Sequence, residues 1–253
     1  MAYTTEAIAR MAGARVQWEE RQGRLLLSVA CYPFKVPAAR EMMQHGVSRR
    51  LADLQHALGR VFEVLPPDAD APSRAQISDA TAFLQAFVIN TFGVVDNLAW
   101  VWALEADVRK DDGPVPAKEV GFMPRQRLMR ASVSDRTRAY LASADDWCRY
   151  LEGYRHALAH RVPLYIPPRT VDGAGEAEFR RLEAAALVEG PGSEAWSRML
   201  GAHSTLGVFL PVMMHSYSEG APPMWFHERI ISDLGRVIEI GEHIARDLEE
   251  LRG

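Results

Sequence analysis

From Ser73 to about Val108 the chain carries apolar residues at helical spacing around most of a helix circumference. Ile77, Leu84, Phe87, Val94, Leu98 and Val101 make one seam, and Phe83, Val88, Val95 and Trp102 widen it. A helix apolar on so many sides has to be surrounded by other helices. This single segment therefore dictates a helical bundle with residues 73–108 at its centre. Ser73 or Ser78 can cap its start by accepting from the first free backbone N–H groups.

The remaining segments supply the neighbours. Met43, Val47, Leu51, Leu54, Leu58, Val61 and Leu65 recur every three or four positions, and Pro66-Pro67 ends that helix. Residues 110–124 read as a surface connection, and the arginine-rich stretch Pro124–Leu141 as one or two short helices. Ser143 is expected to start a helix bearing Trp147, Leu151, Tyr154 and Leu158, closed by Val162-Pro163. A small amphipathic helix fits Asp172–Glu189. The last helix runs over Glu228–Leu251, with Ile231, Leu234, Ile238, Ile244, Leu248 and Leu251 facing inward.

At the N-terminus, Arg15–Glu20 and Arg24–Cys31 look extended around Arg21-Gln22-Gly23, and Gly23 can supply the positive φ of a hairpin turn. Residues 1–35 are therefore expected to form a β-hairpin extension, with 36–253 as the bundle. The apolar, proline-broken run Leu206–Tyr217 could add a strand to that hairpin. The predicted fold class is mainly α: an up-and-down helical bundle with a small N-terminal β-hairpin.

Composition narrows the function. The 253 residues carry a formal net charge of -4, which argues against a protein whose whole surface binds nucleic acid but leaves room for a local basic patch. Only Cys31 and Cys148 are present, so a disulfide scaffold or cysteine-rich zinc module is excluded and a reducing compartment fits. Residues 1–14 have no long apolar core, and Leu206–Met214 is too short to span a bilayer. A cytoplasmic protein without membrane contact is expected. No phosphate-binding glycine loop, dinucleotide fingerprint or Gly-x-Ser-x-Gly elbow occurs, and no cofactor is expected.

Reactive groups concentrate at Arg155, His156 and His160, in the last turns before Pro163. A guanidinium grips phosphate through parallel hydrogen bonds, and imidazole exchanges protons near neutral pH. Five residues along a straight helix turn through about 500°, so Arg155 and His160 should point about 140° apart. The pair can meet only at a distorted helix end or across a two-fold dimer. Left to itself, the cluster equally suits a solvated polar helix end.

Arg155 through His160 resembles the arginine, polar residue, three others, histidine motif of the HEPN superfamily. The following Arg161-Val162-Pro163-Leu164-Tyr165-Ile166-Pro167-Pro168 is similar to the tail of a bacterial HEPN subfamily. The resemblance covers about Val36–Leu251, and His156 stands where many HEPN proteins have asparagine. It implies a dimeric bundle and metal-independent endoribonuclease chemistry, in which a ribose 2′-hydroxyl attacks the adjacent phosphorus. His160 would then be general acid or base, His156 would share the proton work, and Arg155 would stabilise the phosphoryl charge. It also implies RNA as partner, a homodimer, and a toxin, stress or phage-defence setting with room for an antitoxin protein.

Supporting candidates lie elsewhere. Asp96 and Asn97 interrupt the greasy central helix and need partners, either as a buried pair or to orient Arg155 or His160. His227 is a second-tier candidate through the resemblance, while Glu228 and Asp233 suit the N-terminal end of the last helix. Arg149 and Arg161 are RNA-binding candidates, joined by the basic run Arg125, Arg127, Arg130, Arg136 and Arg138 and by Arg169. Two other readings compete: a non-catalytic interaction or nucleotide-binding bundle, and zinc held by His156 and His160 with His203, His215 or His227.

Overall fold

The computed structural model describes residues 2–111, 113–216 and 222–252, with the side chains of residues 203 and 204 also outside the described set. It is mainly helical. α1 spans Thr5–Cys31, capped by Thr4, whose hydroxyl accepts from the Ala7 N–H at 3.2 Å. The expected N-terminal hairpin is therefore wrong. Ala7, Met11, Gln22, Leu25 and Val29 are buried at helical spacing straight through Gly23, which points outward. A glycine inside a helix costs only about 1 kcal/mol, so a continuous buried stripe overrides it. Met11, Leu25 and Val29 belong to the main core, so residues 1–35 pack as part of the bundle.

α2 (Pro37–Glu41), a π-helical turn (Met42–Val47) and α3 (Ser48–Val64) follow as one nearly continuous rod, in place of the single helix expected over 36–65. α4 (Arg74–Glu105) starts from a reciprocal cap. The Ser73 hydroxyl accepts from the Gln76 N–H at 3.2 Å, and the Gln76 side chain accepts from the Ser73 N–H at 2.9 Å. Leu84, Phe87, Val94, Leu98 and Val101 are all buried. Among the described residues it is the one helix long and apolar enough to cross a membrane, and more than half of its most apolar stretch is enclosed by protein, as in a soluble core helix.

A two-residue ribbon, β1 (Arg109–Lys110) antiparallel to β2 (Gly113–Pro114), opens the connection after α4. α5 (Arg127–Ser132) and α6 (Asp135–Ser143) are the two short helices of the arginine-rich stretch. α7 (Asp145–His160) packs along α4. Its expected cap Ser143 instead ends α6, and Ala144 stands at the start of α7 without a side-chain cap.

α8 (Gly173–Glu189) and α9 (Glu194–Thr205) pack mainly on each other. Ala186, Ala195, Met199 and Ala202 are buried there, apart from the main core. α9 was not foreseen; Ser193 caps it by accepting from the Trp196 N–H at 3.0 Å. The strand expected in Leu206–Tyr217 exists, but its partner is different. β3 (Val212–Met213) pairs antiparallel with β4 (Met224–Trp225), and Tyr217 lies outside the described residues.

α10 (Phe226–Glu250) closes the bundle against α1, α4 and α6, and Leu251, expected on its buried face, stands just past its end and is exposed. Gly235 lets α1 come close: a Cβ there would sit 2.5 Å from the Trp18 indole. Arg21 of α1 clasps Glu242, with Nε 3.0 Å from Oε1.

Candidate functional site

Phe92 and Asp96 lie one turn apart on α4, on the side that meets α7. Arg155 comes from α7, half-buried, with its guanidinium 4.6 Å from the Phe92 ring centroid. Asp96 and Arg155 line a cavity of about 170 Å³ with Lys118, Gly121, Arg125 and Gln126. Burial raises the Asp96 carboxyl above its ordinary value, against the opposing pull of the Arg155 and Arg50 guanidinium groups. Among the described residues Asp96 is the one carboxyl group in the lining, beside the cationic Lys118, Arg125 and Arg155.

The two histidines face elsewhere. α7 stays regular to its end, where the Arg161 N–H donates to the Ala157 carbonyl at 3.0 Å. His156 and His160 are exposed on the outward face, ring centroids 6.2 Å apart and edge to face. His156 Nε2 is 4.0 Å from Glu152 Oε1, and Glu152 pairs with Arg125, which lines the cavity. The helix is not distorted, so Arg155 turns into the cavity while the histidines turn to solvent.

Asn97 belongs to a different neighbourhood from Asp96. Its Oδ1 accepts from Arg50 Nε at 3.0 Å and its Nδ2 lies 2.9 Å from Met42 Sδ, tying α4 to α3 and the π-helical turn. His227 is fully buried, with Nε2 2.6 Å from the Leu65 carbonyl oxygen and ring contacts to Tyr3, Phe62 and Phe226. Burial pushes its imidazole down to about 4. That environment describes a structural histidine out of reach of any solvent-borne substrate.

Most of the basic run is neutralised within the protein. Arg130 pairs with Asp145, Arg136 with Asp247 and Glu250, Arg138 with Asp135, and Arg149 with Asp146. Arg169 Nη1 donates to the Gly207 carbonyl at 2.8 Å, and Arg161 is exposed. No group of three metal-binding side chains occurs among the described residues, and the His203 side chain lies outside them.

Asp233 is not the capping acid its position suggests. It is 1% exposed, accepts from Trp147 Nε1 at 2.8 Å and sits 3.1 Å from Arg229 Nε. Burial pushes its carboxyl up to about 6, with Arg229, Trp147 and Tyr150 pulling the other way. Phe92, Lys118, Gly121 and Gln126 also went unmarked in the sequence. Only Phe92, one turn before Asp96, carried a local signal; the others come from a connection without periodicity.

What the geometry defines is a helical bundle with a recess that mixes guanidinium, carboxylate and carboxamide. Comparisons with family models, curated proteins and solved structures give no match to this chain.

Proposed function

We propose that the protein acts on RNA as a homodimer of the HEPN type, cleaving the strand without a metal. The observation that carries this reading is Arg155, held on Phe92 in a recess beside Asp96 while His156 and His160 stand exposed on the next face of the same helix. In the reaction the ribose 2′-oxygen bonds to phosphorus and the bond from phosphorus to the 5′-oxygen breaks. His160 takes the 2′-hydroxyl proton or delivers a proton to the leaving oxygen, His156 shares that work, and Arg155 meets the phosphoryl charge. Arg149 and Arg161 contact backbone phosphates, Asp96 holds Arg155 in place, and Asn97 and His227 act only through the packing of the bundle. We assign the protein to the cytoplasm; an antitoxin partner follows from the family likeness alone.

Because α7 keeps Arg155 and His160 on separate faces, the reading requires the pair to be completed between two chains. RNA cleavage in EDTA should be abolished in Arg155→Ala and in His160→Ala. A mixture of the two inactive proteins should regain activity, since one composite site of the mixed dimer keeps both groups. Wild-type protein that leaves RNA intact, or a His160→Ala form that cuts like wild type, overturns the proposal. The recess contains Arg155 and neither histidine, which favours a second reading: a nucleotide-binding bundle that does not cut. Nucleotide binding with no cleavage of any RNA would select it.

A further inference from the structure

Arg50, on α3, carries a charge that the protein orients without neutralising. Its Nε donates to Asn97 Oδ1 at 3.0 Å and its Nη1 to Asn90 Oδ1 at 2.9 Å, both on α4. Each amide is itself held the right way round. Asn90 Nδ2 donates to the Ala86 carbonyl at 3.1 Å, and Asn97 Nδ2 lies 2.9 Å from Met42 Sδ. Gly46, in the π-helical turn, makes room for Asn97, since a Cβ there would come 2.9 Å from the amide carbon. Gly93 is the floor: a Cβ on it would come 2.6 Å from Arg50 Cζ and push the guanidinium off α4. The packing that Asn97 provides is therefore also what aims Arg50. π-Helical turns inside α-helices are rare and concentrate at functional sites.

Both partners are neutral carboxamides, and among the described residues Arg50 forms no ion pair. Arg130, Arg136, Arg138 and Arg149, by contrast, each face a carboxylate. Arg50 Nη2 bonds to no described group and is not enclosed either, so its two N–H donors face solvent. Asp53, three residues on along α3, is exposed and forms no ion pair with it. Neutral clamps fix a guanidinium while leaving its full charge for an anion. A second guanidinium flanks the same strip of α4. Arg50 lies over Asn90, Gly93 and Asn97, and Arg155 over Phe92; exposed Ile89 and half-buried Asp96 come between them on the helical wheel. Both guanidinium groups act on the Asp96 carboxyl, and two cations to one acid leave the strip positive. We propose that Arg50 is a phosphate-binding residue, holding a backbone phosphate of the strand whose scissile phosphate meets Arg155.

The inference deepens the RNA reading and rests on it for the source of the phosphate. Fluorescence anisotropy with a labelled single-stranded RNA tests it, read over a range of salt in the His160→Ala protein so that the strand stays whole. In that background Arg50→Gln should weaken binding about tenfold, as expected for a lost hydrogen bond to a charged group. It should also lower the slope of log affinity against log salt by about 0.7, one phosphate contact on a single strand. Arg50→Lys should keep the parental slope while binding less tightly than arginine. Asn90→Asp sets a carboxylate against Nη1 and neutralises Arg50 without removing it. It should bind like Arg50→Gln with its fold intact by circular dichroism, and it serves if Arg50→Gln fails to fold. Arg24→Gln removes the same charge from the exposed side of α1 and should change neither affinity nor slope. A parental slope in Arg50→Gln or Asn90→Asp overturns the proposal, as does an equal loss in Arg24→Gln. If RNA does not bind, titration calorimetry with AMP decides: Arg50-dependent binding identifies a free nucleotide as the source, and no binding of either overturns the proposal. Arg50-dependent binding without cleavage by the wild type would remove the nuclease reading and keep this one. Cleavage that needs His160, with the slope unchanged in Arg50→Gln, would do the reverse.

Discussion

His227 offers a quantitative test of how this core responds to acid. Its ring is fully buried, and its Nε2–H donates to the Leu65 carbonyl at 2.6 Å. Burial depresses its pKa from 6.5 to about 4, helped by nearby Arg15 and opposed by the Leu65 hydrogen bond. A depressed histidine supports the fold while neutral in both states. That support is complete above pH 6.5 and is lost as pH falls toward 4, because the unfolded chain takes up the proton first. Between pH 7 and 4.5 the loss comes to about 2 kcal/mol for this group alone. His227→Gln keeps an N–H for Leu65 but cannot titrate. Urea unfolding of both proteins at the two pH values gives the comparison, because every other titrating group cancels in the difference. The Gln protein should be less stable at pH 7, where it loses ring contacts. Its change between pH 7 and 4.5 should be more favourable than that of the wild type by about 2 kcal/mol. Equal pH dependence in the two proteins would refute the assignment of a neutral, desolvated imidazole.

Two further substitutions probe other parts of the bundle. Asp233 has the opposite sign: its carboxyl is raised to about 6 from 3.8. The wild type should therefore gain about 2 kcal/mol from this group between pH 7 and 4.5. Asp233→Asn should lack that gain; urea unfolding at the two pH values reads it, and an unchanged pH slope refutes the shift. Gly235→Ala should lower the melting temperature, since a Cβ 2.5 Å from the Trp18 indole forces α1 and α10 apart. The cost, about 1–3 kcal/mol for overpacking, exceeds the gain of about 1 kcal/mol in helix propensity. A melting temperature above that of the wild type would mean that the indole yields freely.

Periodicity made the central helix legible because its buried seam is broad and unbroken, and no other structure satisfies Leu84, Phe87, Val94 and Leu98 together. The same principle should have revealed α1. There the stripe Ala7, Met11, Gln22, Leu25 and Val29 is thin, and a polar Gln22 sits within it, bonded to the Leu51 carbonyl. Thin stripes lose to a conspicuous glycine when a sequence is read locally. The β3–β4 pairing was invisible for another reason. Val212 and Trp225 meet across a connection whose length says nothing about its partner.

For the candidate site, spacing carried more than composition did. Five residues on a regular helix separate two side chains by about 140°, and α7 is regular through His160. Arg155 lies on the flank that meets Phe92 and Asp96, whereas His156 and His160 follow the solvent face. What spacing could not supply is the opposite wall of the recess. Lys118, Gly121 and Gln126 reach Arg155 only because the connection after α4 folds back toward α7, and a connection with no repeat leaves no pattern to read. The consequence for mechanism is a geometric demand that one helix imposes. Arg155 lies in the recess of one chain, so the RNA-cleaving reading requires a His160 delivered by a second. Activity and dimerisation should therefore be inseparable: a variant that stays monomeric should leave RNA intact even with Arg155 and His160 both present.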